Sequence, residues 1–94
     1  MKVVLDLKVV MDTNVFVSGV FFSGPPYRIL NAWQSGEFEL VISREILDEY
    51  RRVGEILASG SRVIISGDKH LLKVSGYEGI DVLKPREFVD RFLS

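Results

Sequence analysis

The run KVVMD at residues 8–12, followed at once by Thr13 and Asn14, decides how the chain reads. Val9, Val10 and Met11 stand in succession with no polar residue between them. A strand with one wet face alternates apolar and polar residues. A continuous, β-branched run suits a strand covered on both faces, as in parallel sheets flanked by helices. The run closes on a carboxylate. Parallel α/β sheets gather their ligands beyond the carboxyl ends of the strands, so Asp12 falls at the functional rim, where the strand gives way to a loop.

Outward from there, strand and helix patterns alternate. SGPPYRILNAWQSG at 23–36 is a punctuated helix, with Pro25 and Pro26 where a first turn tolerates them and Gly36 at the C-terminal cap. EFELVIS at 37–43 supplies a second strand. Ser43 is a good N-cap for a helix over 44–59, which Gly60 closes. SRVIIS at 61–66 is a third strand, DKHLLKV a short helix that Asp68 can cap, GIDVLK at 79–84 a fourth strand, and PREFVDRFL a final helix with Pro85 at its start. This order predicts an α/β fold: a four-stranded, mainly parallel sheet with helices on both faces. Strand 8–12 is expected at the centre, between 38–42 and 62–66, with 80–83 beyond the latter. The helix 44–59 is expected as one continuous crossover.

The bulk numbers agree with one small domain over residues 1–94. The chain has 94 residues, 47% of them hydrophobic, which suffices for a core. A net charge of −1 gives no global pull toward nucleic acid or membrane, so any such binding must come from local patches. The absence of cysteine excludes disulfides, thiolate chemistry and cysteine-based zinc sites. The N-terminal apolar stretch breaks at Asp6 and Lys8, unlike a signal peptide, and no run is long enough to span a bilayer. A cytoplasmic protein is the expectation. KVVLD at 2–6 echoes KVVMD at 8–12, but Thr-Asn follows only Asp12, so residues 2–6 read as an extension before the working strand.

Three acids are candidates for chemistry. Asp12 ends one strand, and Asp68 follows VIIS by two residues, so both belong to the same rim. On the helix 44–59, at 100° per residue, Ile46, Leu47, Tyr50, Val53, Gly54 and Leu57 form an apolar arc. Glu49 borders that arc in the second turn, Asp48 lies nearly opposite, and Glu45 and Glu55 point further from the sheet. Each acid also has an ordinary reading: Asp12 as an acceptor in a turn, Asp68 as an N-cap, Glu49 as a solvated helix residue. Together they favour a cation, because converging carboxylates repel unless something neutralises them. Oxygen-only ligands point to Mg²⁺ or Mn²⁺ rather than zinc.

VVMDTNVFVSGVFFSGPPYRILNAW resembles the opening of a PIN domain, in particular the branch that contains toxins of toxin–antitoxin pairs. FELVISREILDEYRRV is similar to that family's second motif, and VIISGDKHLL with YEGIDVLKPREFVDRFL to its closing segment. The resemblance covers nearly the whole chain. It implies a parallel α/β sheet, a cluster of acids at its rim, and a metal-dependent ribonuclease paired with an antitoxin protein. Asp12, Glu49 and Asp68 match family acids and are the implied metal ligands and catalytic residues. Asn14, Thr13 and Ser66 match polar neighbours that orient acids or water. The chain departs from the family where DEYRRVGEILASGSRVIISGD runs straight through. Family members carry further helices there, and another acid. Three carboxylates therefore stand where the family has four.

On this reading a metal held by Asp12 and Asp68 would acidify a bound water and neutralise charge on an RNA phosphodiester, with Glu49 completing the ligation. Lys69 is a candidate to steer the phosphate backbone, while Arg51 and Arg52 read better as a solvated face. His70, beside Asp68, reads as an exposed helix-start histidine. Trp33, Phe21, Phe22 and Tyr27 read as core or interface rather than base-stacking platforms. The rival function is a non-catalytic PIN-like scaffold that dimerises or binds a protein partner. A receiver-like phosphoacceptor is more remote, since the paired acids before the phosphoacceptor are missing. A homodimer is expected, because Val17, Val20, Phe21, Phe22 and Trp33 offer more apolar surface than a domain of this size easily hides. Exchange of the segment 61–94 between chains is a variant of that expectation.

Overall fold

The structure is a computed structural model that describes residues 7–43, 60–73, 75–76 and 79–93. Its elements are β1 (Lys8–Asp12), α1 (Thr13–Phe21), α2 (Pro25–Gln34), β2 (Glu39–Ser43), β3 (Val63–Ile65), α3 (Lys69–Leu72), β4 (Asp81–Leu83) and α4 (Pro85–Phe88), which runs on into a π-helical turn (Val89–Leu93). The crossover expected over 44–59 lies outside the described residues.

The sheet has the order β2-β1-β3-β4, and all three pairings are parallel. Met11 pairs with Ile42 on one side and Ile65 on the other, and Ile65 with Leu83. This is the topology expected from the sequence, with β1 central. The strands are offset or shorter: β2 begins one residue later than 38, and β3 and β4 keep three residues each. β3 pairs with β1 of the same chain, so exchange is not needed to complete the sheet.

Alternation along β1 sends its apolar residues to opposite faces, as a pleated strand must. Val9 and Met11, with Val63, Ile65 and Leu83, meet Val15 of α1, Ile29, Leu30 and Ala32 of α2, and Phe88 and Val89 near the C-terminus. Val10, Ile64 and Val82 face the other way, against Leu71, Leu72 and Ile80. Helices thus cover both faces. Among the described residues Phe88 is the largest fully buried side chain, and Phe38 meets it edge-on at 5.4 Å between ring centroids. Burial of such a ring contributes roughly 1.5–3 kcal/mol. Gly36 follows α2 with φ 78°, the left-handed conformation that glycine adopts without strain, as its place in the sequence suggested.

One element differs from expectation. Asp12 does not open into a loop: α1 begins at the next residue. TNVFVSGVF is rich in β-branched residues and carries no charge, so its helical propensity is low. Two features outweigh that. Asp12 keeps extended backbone angles and its side chain accepts the Asn14 N–H, which caps the helix. Val15 and Gly19, four residues apart, are buried on one side of the helix. Gly19 permits the close approach of α2: an added Cβ would stand 2.6 Å from Leu30 Cδ1 and 2.9 Å from the Pro26 carbonyl oxygen.

Candidate functional site

The carboxyl ends of β1 and β3 are neighbours, and the residues that follow them build the site. Asp12 is 5% exposed, although it is charged and lies at a strand end. Its two oxygens have different partners. Oδ1 accepts the Asn14 backbone N–H at 2.9 Å, and Oδ2 accepts the Ser66 hydroxyl at 3.2 Å. Ser66 is fully buried, and its Oγ in turn accepts the Asp68 backbone N–H at 3.1 Å. One serine therefore ties the carboxylate of β1 to the turn that carries the second carboxylate. Asp68 Oδ1 accepts the Leu71 N–H at 3.2 Å and caps α3, as the sequence allowed.

Asp12 and Asp68 line one pocket of about 390 Å³. Asn14, Val15 and Ser18 of α1 and Pro26 of α2 form one side of it, and Gly67 and Pro85 contribute from the loops after β3 and β4. Each carboxylate oxygen has about two acceptor directions, so the hydrogen bonds to Asp12 fix its plane without exhausting its oxygens. The Thr13 hydroxyl is buried and has no hydrogen-bond partner among the described residues.

The sequence candidates can now be placed. Asp12, Asp68 and Asn14 share the pocket, Ser66 lies beneath it as the link between the acids, and Thr13 stands beside it. Lys69 is exposed at the start of α3. Glu49, like Glu45, Asp48, Arg51, Arg52 and Glu55, lies outside the described residues. Among the described residues, no three acids or histidines stand together as a metal cage. Two carboxylates and the oxygen of the Asn14 amide remain at the pocket, hard donors of the kind that Mg²⁺ or Mn²⁺ takes. Mg²⁺ in particular keeps several waters and is commonly held by one or two carboxylates with substrate phosphate. Pro85 was legible only as a helix start; its place at the pocket follows from β4 lying beside β3.

A sequence model described as PIN domain matches residues 8–90, which includes every element of the sheet. The chain belongs to the PIN domain family. No curated protein and no solved structure matches it. The fold accounts for the placement of the acids in this PIN domain, since Asp12 and Asp68 follow adjacent parallel strands. Phe21, Phe22, Tyr27 and Trp33 are not part of its core: all four are exposed, Phe21 at 73% and Phe22 at 69%. None of the helices among the described residues is long and apolar enough to cross a membrane.

Proposed function

We propose that this PIN domain is a divalent-metal-dependent ribonuclease, the toxin of a toxin–antitoxin pair acting in the cytoplasm. The observation that carries the reading is the convergence of Asp12 and Asp68 on one pocket, joined through Ser66. Glu49 enters by family resemblance as the third ligand of Mg²⁺ or Mn²⁺. When bound, the cation supplies charge neutralisation at the phosphodiester and acidifies water. The chain's own residues do the rest. Ser66 holds the Asp12 carboxylate in one plane, so that it needs no rearrangement to meet a cation. Asn14, exposed at the pocket wall, offers an amide to a phosphate oxygen. Lys69, next to Asp68, attracts the RNA backbone. With three acids where the family has four, one cation is held more firmly than two, and turnover is slow.

Titration with Mn²⁺, followed by cleavage of a labelled RNA, tests the reading. Wild type should bind and cut. Asp12→Asn keeps the shape of the side chain and one of its two accepting oxygens but removes a charge from the cation site, so both activities should fall together. No Mn²⁺ or Mg²⁺ binding to wild type at millimolar metal would overturn the nuclease.

The second reading is an interaction module that dimerises or holds an antitoxin segment without cleaving RNA. Its support is the exposed apolar group Val17, Val20, Phe21 and Phe22, which runs from the middle of α1 to the residue after it. Such groups mark interfaces. Contacts on this patch alone would not exclude RNA cleavage, because none of its four residues lines the pocket.

A further inference from the structure

We propose that RNA crosses the pocket over its β3–β4 side, with Lys84 and Arg86 as phosphate-binding residues together with Lys69. The proposal rests on the pocket being a phosphodiester site and adds a direction and two residues to it. The two sides of the pocket differ in charge. α1 carries no charged residue, and its exposed end is apolar. On α2, Arg28 lines a separate cleft with Asn31, Ser35 and Glu37. The loops after β3 and β4 are different. Ser66 N–H donates to the Leu83 carbonyl at 3.0 Å, so the two loops leave the sheet side by side. Gly67, Asp68 and Pro85 of these loops line the pocket.

Lys69 adjoins Asp68, and Lys84 and Arg86 bracket Pro85. No peptide among the described residues is cis, so each cation's Cα is about 3.8 Å from that of a pocket residue, well inside the Debye length of about 8 Å at physiological salt. All three cations are exposed, and no ion pair among the described residues engages them. Nearby, Glu87 is turned to the Lys84 backbone N–H at 3.4 Å. The segment around Pro85 presents polar and charged residues with no apolar anchor. That suits a phosphate chain better than a protein interface, whose core is apolar. A chain with net charge −1 thus concentrates cations on one edge of its acidic pocket, which lets a polyanion approach the carboxylates from that edge.

The test is the salt dependence of binding, measured by fluorescence anisotropy on a labelled single-stranded RNA with chelator present so that no strand is cut. Removing one phosphate contact should reduce the slope of log K against log salt by about 0.7, so Lys84→Ala with Arg86→Ala should reduce it by about 1.4 and weaken binding about tenfold at low salt. Arg86→Lys should restore the slope of its site. Arg28→Ala removes a cation from the other cleft and should leave the slope unchanged. Equal losses in Arg28→Ala and Arg86→Ala would mean that net charge alone matters and would overturn the proposal. So would an unchanged slope in the double variant. Equal competition by polyglutamate of matched charge would reassign the patch to an acidic peptide. Wild type that binds but never cuts RNA keeps this inference and removes the nuclease. Wild type that does not bind RNA under these conditions overturns this inference and leaves the nuclease to the Mn²⁺ titration and the cleavage assay.

Discussion

Ser66→Ala separates a structural tie from a bystander. Ser66 is fully buried and makes two hydrogen bonds, one to a carboxylate and one from a backbone N–H. Alanine removes both while leaving the strand unchanged. Asp68 is only partly buried, so water can reach its N–H and the loss there is small. Asp12 Oδ2 is different: Asp12 is 5% exposed, and among the described residues no other donor reaches that oxygen. A buried acceptor left without its partner costs about 1–3 kcal/mol, so a destabilisation of about 2 kcal/mol is expected. For a domain of this size that lowers Tm by roughly 8–16 °C. Ser18→Ala is the matched comparison. Its hydroxyl donates to the Asn14 carbonyl at 3.1 Å at an exposed site on the same pocket, and its loss should change stability by less than about 0.5 kcal/mol. Urea melts of the three proteins measure the difference. If Ser66→Ala is as mild as Ser18→Ala, the link between the two acids contributes nothing to the fold, and each acid is held independently of the other. Mn²⁺ titration gives an independent reading: loss of an orienting partner typically weakens a metal site about 10–100-fold.

Gly19→Ala gains helical propensity of about 1 kcal/mol but forces Leu30 and the Pro26 backbone apart, so a net loss of about 1–2 kcal/mol is expected in denaturant melts; a gain would refute the tight α1–α2 contact. Glu49→Gln should weaken Mn²⁺ binding while Asp48→Asn changes little, and equal effects would remove Glu49 as the preferred ligand. Phe21→Ser with Phe22→Ser should shift a dimer seen by sedimentation to monomer without lowering Tm; a wild-type monomer at tens of micromolar would remove the dimer.

The sheet was legible because its signal is local. VVM, VII and DVL need no context to read as covered strands, and the order of strands followed from alternation with helices. Helix α1 was not legible. Its valines and phenylalanines have weak helical preference, and what makes it a helix is the Asp12 cap and burial against α2, a tertiary effect. A trace was there, in an aspartate two residues before Asn14 and in Val15 and Gly19 at helical spacing. The convergence of Asp12 and Asp68 could be read from strand ends. The function of Ser66 as a tie between them could not, because residues 12 and 66 meet only through strand pairing. Lys84 and Arg86 were not legible as site residues for a related reason. Beside Pro85 they look like an ordinary helix start, and only the neighbouring β3 turns them into part of a rim.

The Asp12–Ser66 hydrogen bond joins residues 54 positions apart in the chain. At typical rates of synthesis, about 5–20 residues per second, roughly 3–10 s pass between the emergence of the aspartate and that of its serine. During that interval β1 has no β3 to pair with, and the pocket does not exist. Closing so long a loop is also what slows parallel sheets once the chain is free. The site is thus among the last parts of the molecule to form, and a nascent chain stalled before β3 is inert toward whatever the finished pocket acts on.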